Sequence, residues 1–471
     1  MRNRDLHFLL AVALVYRLVF LLLVPRVLDS ADSVHYAETA RLFAAGEFFA
    51  HNPKIPILYP LFGAFFTQFT GDAEWGCRFA SFLFSTFTIV PVYGIALRLF
   101  DRRVAWWAGL TVALWPWLAD YACAVSTEAT AVFLWLSGFW ALLVHRPLLA
   151  ALLFFALHLT RAEGMLLALA ALPALVIVGR PESSTEGKAV PHRAIPYRAL
   201  ISYAIPLFLL LALGTLYNRA LTGETDPNIR VGFILDEFNY IRFIQTAMDT
   251  LSDVVPVMLG PVMMIFIGIG LFTPDRLRPR LWGELALLFL CAVQLGASWM
   301  VLSPAPRYLM APLIALSLWS ATGLVRLMNW TRNDFLRVLP AVALVAFHLM
   351  GAARTLGGEF LSDQPRQPVE YKEAGLWMRE HLEPGMVFTR KPQVAYYAGM
   401  PSTGPLDTDT LDEALARARE AGAVYLVVDE RYAPAGLRPL LEPEAAPAGV
   451  ALLHRVDTHP RARVMVYELR R

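Results

Sequence analysis

Six ionisable residues from separate parts of this 471-residue chain could act together on an anionic group: Asp32, Lys54, Glu128, Arg161, Glu163 and Arg307. A carboxylate can take the proton of an attacking hydroxyl. Lysine and arginine can hold a phosphate and offset the charge that develops as it leaves. His51 and Tyr59 flank Lys54 in the segment His51-Asn-Pro-Lys-Ile-Pro-Ile-Leu-Tyr-Pro60, and Tyr308 follows Arg307. The three prolines of that segment predict a stiff, extended loop, with His51 and Lys54 available to a phosphate. Each residue also has a plain structural reading. Asp32 can cap a helix beginning at residue 33, and Tyr59 can anchor at a membrane interface. Glu128 can cap with Ser126 or Thr127. Arg161 and Glu163 can form a local ion pair, and Arg307 can snorkel. What favours chemistry is where the surrounding elements put them.

Those elements are membrane helices. Hydrophobic residues make up 57% of the chain and charged residues 17%, against roughly 25% charged in soluble domains. The mean hydropathy is +0.49. A net charge of +2 gives no footprint for nucleic acid. About eleven apolar runs lie near 6–24, 77–99, 104–118, 124–144, 148–159, 164–179, 199–217, 254–272, 282–302, 308–325 and 338–354. The first follows Arg2 and Arg4 without a cleavage site after it, so it reads as an uncleaved helix. Arg17, in mid-span, is expected to pair inside the bundle in a structural role.

Basic residues orient the spans. With the N-terminus in the cytoplasm, the inner loops carry Arg102 and Arg103, His145 and Arg146, the basic stretch 180–198, Arg276, Arg278 and Arg280, and Arg326, Arg332 and Arg337. The stretch 181–196 reads as a polar cytoplasmic linker. Two long outer loops are then expected at about 25–75 and 218–253, and all six ionisable residues fall near the outer face. Domain organisation follows: residues 1–357 form the transmembrane domain, and 358–471 an outer α/β domain. In that tail, helices are expected at 369–382 and 410–421, the latter capped by Asp407, Thr408 or Asp409. Strands are expected at 386–389, 423–429, 450–456 and 463–469.

Neither a Walker loop nor a dinucleotide fingerprint is present, so a soluble nucleotide donor has no visible site. Cys77, Cys123 and Cys291 lack zinc-site spacing and read as free buried thiols.

Five segments carry a family resemblance: Asp32-Ser-Val-His-Tyr36, Pro56-Ile-Leu-Tyr-Pro60, Ser126-Thr-Glu128, Leu159-Thr-Arg-Ala-Glu-Gly164 and Arg307-Tyr-Leu. The chain resembles the GT-C superfamily of polytopic glycosyltransferases. Within it, the chain is similar to the family 39 group, which includes protein O-mannosyltransferases and the lipid A aminoarabinose transferase. The resemblance implies a polytopic α-helical membrane protein of GT-C fold with a small C-terminal extracytoplasmic α/β domain, in the cell's inner (plasma) membrane. It implies a polyprenyl-phosphate sugar donor, inverting displacement, and a cavity open to the outer leaflet among membrane lipids. The acceptor would be a lipid, a glycan or a protein.

The family's catalytic acidic residue matches Asp32. Many members have an Asp-Glu pair there, whereas this chain has Asp32-Ser33, leaving Glu128 or Asp29 for a second carboxylate role. Glu128 joins Asp32 as a catalytic candidate. Lys54, His51, Tyr59, Arg161, Glu163, Arg307 and Tyr308 are the substrate-binding candidates, with Asp236, Glu237 and Arg242 as weaker acceptor contacts. The residues single out no cofactor; some members use a divalent metal, and the resemblance leaves one open here, with its ligands unknown. The rival class is a transporter or flippase of a lipid-linked glycan, which predicts inverted repeats and midplane polar groups.

Overall fold

The computed structural model describes residues 2–179, 197–222, 239–272, 277–300 and 305–470. The linker 181–196, Asp236 and Glu237 lie outside the described residues. The chain forms two compact units. One comprises Met1–Leu21 and Thr39–Ala352, the other Leu22–Glu38 and Ala353–Arg471. The segment bearing Asp29 and Asp32 therefore groups with the C-terminal tail.

The helical unit runs through α1 (Arg2–Leu23), the C-terminal part of α2 (Ala31–Ala44), α3 (Leu58–Thr70), α4 (Ala73–Phe87), α5 (Ile89–Leu99), α6 (Arg102–Ala113), α7 (Pro116–Cys123), α8 (Glu128–Leu143), α9 (Pro147–His158), α10 (Gly164–Val178) and α11 (Tyr197–Thr222). It continues with α12 (Tyr240–Asp249), α13 (Val255–Leu271), α14 (Leu277–Met300), α15 (Met310–Trp330) and most of α16 (Asp334–Leu361). Each of the eleven apolar runs overlaps a helix. Seven helical stretches among the described residues are long and apolar enough to cross a membrane, and α8, α9 and α10 are shorter apolar helices. The protein is thus a multi-span helical membrane protein. In hydrocarbon every backbone polar group needs an internal partner, which is why these apolar runs become helices.

Breaks between helices have local causes. Gly71 ends α3 with φ 71°, and Asp72 then caps α4 by accepting from the Trp75 N–H at 2.8 Å. Pro116 starts α7 and separates it from α6. Gly260 stands at φ 63° before Pro261 and kinks α13. Close helix packing depends on Gly270 and Gly323, where an added Cβ would lie 2.0 Å from the Trp319 and Phe266 carbonyl oxygens.

Several expectations change. The segment 51–60 is not extended throughout: α3 begins at Leu58. Proline at its third position costs nothing, because first-turn N–H groups have no helical acceptor. The loop expected at 218–253 is shortened by α11 running to Thr222 and by a helix starting at Tyr240. Arg17 does lie fully buried in the bundle. Its donors reach Ser85 Oγ (2.7 Å) and the carbonyls of Ala113 (2.8 Å) and Val112 (3.1 Å). Cys77, Cys123 and Cys291 are free and buried.

The second unit holds residues 22–38 and the tail. Its helices are α17 (Val369–His381), α18 (Gln393–Ala398) and α19 (Leu411–Glu420). Its strands are β1 (Val387–Thr389), β2 (Ser402–Thr403), β3 (Tyr425–Asp429), β4 (Val450–Val456) and β5 (Val464–Leu469). They form one sheet in the order β2-β1-β3-β5-β4. The first three strands are parallel, and β5 is antiparallel to both β3 and β4. One face packs α17 and α18 through Tyr371, Met378 and Val394, and the other packs α19 through Leu415 and Ala418. The cap of α19 is Thr410, in a reciprocal box with Glu413. Asp409 is occupied instead by Arg417 at 3.1 Å and the Leu406 N–H at 2.8 Å.

Candidate functional site

In the helical unit, the turn 159–163 between α9 and α10 carries the principal charged cluster. Arg161 Nη1 lies 2.9 Å from Glu128 Oε1, and Arg161 Nε lies 2.5 Å from Glu163 Oε1. Arg161 also donates to Thr127 Oγ1 at 3.3 Å. Glu128 is the first residue of α8, and Thr127 makes no side-chain cap bond, so the carboxylate serves the arginine instead of the helix end. The turn itself is tied down by Leu58 N–H, which donates to the Leu159 carbonyl at 3.0 Å.

Arg307 and Tyr308 complete the cluster from a single 3-10 turn before α15. The guanidinium carbons of Arg161 and Arg307 lie 5.1 and 5.0 Å from the Tyr308 ring centroid. Arg307 donates to the Tyr308 hydroxyl at 3.0 Å. These residues line a cavity with Gln294 and Trp135 of only about 20 Å³, room for one water.

A second cavity, of about 350 Å³, opens on the other side of the turn, since Leu159 and Ala162 line it. Lys54 and His51 come from the proline-rich segment, His158 from α9, and Leu213 and Tyr217 from α11. Lys54 is exposed. His51 is buried, and its Nδ1 donates to the Phe48 carbonyl at 3.1 Å, while its ring stacks on Tyr217 with centroids 6.3 Å apart. Burial pushes the His51 pKa down, outweighing that hydrogen bond. The ring is then neutral at pH 7, with Nε2 as an acceptor. Nε2 of His51 and Nδ1 of His158 are buried without a hydrogen-bond partner among the described residues.

Tyr59 differs from its expected place. It is fully buried rather than at an interface. Its hydroxyl donates to the Cys77 carbonyl (3.0 Å), accepts from the Ser126 N–H (2.9 Å) and meets Ser81 Oγ (2.9 Å). Tyr59 thereby fixes the strand of chain leading into Thr127 and Glu128, and offers substrate no free group in this arrangement. Alongside it lies a buried ion pair, Arg78–Glu74 at 2.8 Å, with Arg78 also bonded to the Cys123 carbonyl. Its four-residue spacing on one helix was a readable signal. His158 and Gln294 had no motif to mark them.

Asp32 and Asp29 belong to the other unit. Helix α2 begins two residues earlier than expected, so Asp32 sits in its first turn. The capping role falls to Ser30, whose Oγ accepts from the Ser33 N–H at 3.2 Å. Asp29 Oδ1 accepts from Ser33 Oγ at 2.7 Å. Arg242, among the weaker candidates, is exposed on α12. Among the described residues, no group of three or more His, Cys, Asp or Glu is arranged to hold a metal ion.

Residues 54–208 match the family described as dolichyl-phosphate-mannose-protein mannosyltransferase. That stretch contains Lys54, Glu128, Arg161 and Glu163. The structure of ArnT from Cupriavidus metallidurans in the apo state matches 98% of this chain and 97% of its own, with TM-score 0.67 and 16% identity. The same protein bound to undecaprenyl phosphate matches with TM-score 0.61. The oligosaccharyltransferase AglB from Archaeoglobus fulgidus, in complex with an inhibitory peptide and a dolichol-phosphate, matches 91% of this chain and 70% of its own. There the TM-score is 0.60 and the identity 13%. A comparison with curated protein sequences gives no significant match. Identities this low speak for the fold alone, and the fold of this chain is like those of ArnT and AglB.

Proposed function

We propose that this protein transfers a sugar from a polyprenyl-phosphate donor to an acceptor on the extracytoplasmic face of the inner (plasma) membrane, by inverting displacement. The observation that carries the reading is the pair of cavities sharing the turn 159–163. One holds the Glu128–Arg161–Glu163 cluster with Arg307; the other holds Lys54 against an apolar wall. The likeness to ArnT bound to undecaprenyl phosphate and to AglB with a dolichol-phosphate supports a lipid-phosphate ligand of this kind.

Charge assigns the roles. Two carboxylates face two guanidinium groups in the smaller cavity, so that cluster is balanced by itself. An arriving phosphate calls on Lys54, whose cavity is walled by Phe155, Leu210 and Leu213, a surface suited to a prenyl chain. Neutral His51 suits a sugar hydroxyl better than a phosphate oxygen, because Nε2 accepts. Arg161 holds Glu128 and Glu163 in place, while Arg307 and Tyr308 contact the sugar-phosphate. Asp32 is the general base. The acceptor oxygen bonds to the anomeric carbon as the bond from that carbon to the phosphate oxygen breaks. Polyprenyl phosphate leaves with the electron pair, and the acceptor proton passes to Asp32, inverting the carbon.

The test uses membranes supplied with radiolabelled undecaprenyl phosphomannose. Asp32→Asn should lower kcat by roughly 10²–10⁴-fold. Transfer at the wild-type rate removes Asp32 as base. If the wild-type protein consumes no lipid-linked sugar, the transferase reading itself fails. Mass spectrometry of envelope glycolipids and glycoproteins from a deletion strain then identifies the acceptor.

A further inference from the structure

We infer that Tyr397 and Lys372 of the C-terminal domain are positioning residues for the loop that carries Asp32. The inference rests on the reading of Asp32 as the base. Two contacts carry it, both within the unit that contains residues 22–38 and the tail. The Leu28 N–H donates to the Tyr397 hydroxyl at 2.8 Å, with Leu28 and Tyr397 both buried. Lys372 Nζ donates to the Arg26 carbonyl at 2.9 Å, and the same ammonium lies 5.0 Å from the Tyr397 ring centroid. The two anchors therefore brace each other.

Both contacts go to backbone atoms, so they set the path of the chain whatever side chains stand at 26 and 28. The anchors are themselves rigidly founded. Tyr397 sits on α18 and Lys372 on α17, and these helices meet at Gly375, where an added Cβ would fall 2.6 Å from the Tyr397 Cβ. Their neighbours Tyr371, Ala374, Val394 and Ala398 are core residues packed on the sheet. On the other side of the anchor, the loop passes directly into the Ser30–Ser33–Asp29 hydrogen bonds that open α2, and Asp32 lies inside that turn. A continuous chain of bonded groups thus runs from the tail's core to the turn bearing the base. Catalysis depends on such placement, since misplacement by about 1 Å can cost on the order of 10²-fold. The buried Leu28 N–H has no water to fall back on when Tyr397 loses its oxygen.

The experiment combines hydrogen exchange with steady-state transfer, using the full-length protein in detergent and radiolabelled undecaprenyl phosphomannose as donor. Tyr397→Phe should speed amide exchange across residues 27–33 by about tenfold. It should lower kcat by about tenfold while the donor KM stays within about twofold. Lys372→Met should act in the same direction, and Lys372→Arg, which keeps a donor and a cation, should restore wild-type values. Arg470→Ala, which breaks an exposed pair with Glu468 elsewhere in the tail, should change neither reading. Unchanged exchange in Tyr397→Phe and Lys372→Met overturns the anchor. Faster exchange with wild-type kcat overturns its role in positioning the base. A kcat loss of equal size in Arg470→Ala overturns it too, as general damage to the domain. If Asp32→Asn proves active, the base assignment fails by itself, and the exchange measurement still decides whether the anchor exists.

Discussion

Arg17 and Arg161 are both arginines held inside the helical unit, and their surroundings could hardly differ more. Arg17 ends on neutral oxygens: Ser85 Oγ and the carbonyls of Val112 and Ala113. Those carbonyls lie at the end of α6, where the break before Pro116 leaves Val112 only a long bond from the Trp115 N–H at 3.4 Å. The guanidinium supplies the missing donors inside the bundle, and the fold consumes it entirely. Arg161 ends on two carboxylates, sits beneath an aromatic ring and lines a cavity. A buried cation bonded to backbone oxygens repairs a helix break. A buried cation that organises acids at a cavity is arranged for a ligand.

The contrast can be broken most directly at Arg161. Arg161→Leu leaves Glu128 and Glu163 without their shared partner, at a cost of about 3–5 kcal/mol. We expect transfer to fall by at least about 100-fold, measured alongside denaturant stability in detergent. Wild-type transfer in that variant would erase the distinction between the two arginines. Arg17→Leu comes next. It takes the arginine donors from the Ala113 and Val112 carbonyls and from Ser85, at about 1–3 kcal/mol, so the folded fraction drops, while kcat per folded molecule stays within about twofold. A kcat loss beyond that, in protein shown to be folded, would move Arg17 from scaffold to site. Lys54→Ala should have the smallest effect. It is exposed, so fold stability should not change, and the affinity for undecaprenyl phosphate should weaken by about tenfold, less at high salt. Equal affinity at low salt would take the phosphate away from Lys54.

Much of the architecture was legible beforehand. The eleven apolar runs are helical because a chain in hydrocarbon has no other local way to pair its amides. The tail's strands were readable from short apolar runs bounded by turns. Less visible were α18 and β2, which are six and two residues long and carry no periodicity. Thr410 outcompeted its acidic neighbours as cap because Glu413 stood three residues on. At the site, the residue types of Glu128, Arg161, Glu163 and Arg307 were readable, and the cluster gathers all four. Tyr59 was misjudged because a tyrosine near a membrane surface and a tyrosine buried beneath a turn look alike in one dimension.

What the sequence by itself determined was the solvent each segment occupies and the identity of the charges that resist it. Apolar length and charge density act locally, residue by residue, so they can be read without neighbours. Only the tertiary structure decided which charge meets which. Arg17 and Arg161 are equally costly to bury as isolated side chains. Only the Arg161–Glu163 pair is local; Glu128 lies 33 positions from Arg161 and Ala113 lies 96 from Arg17, and no local pattern encodes those meetings. The same holds for the loop bearing Asp32, whose anchor on Tyr397 lies 369 residues on. Hydrogen bonds and ion pairs act over a few ångströms of space, and the chain must fold before those distances exist.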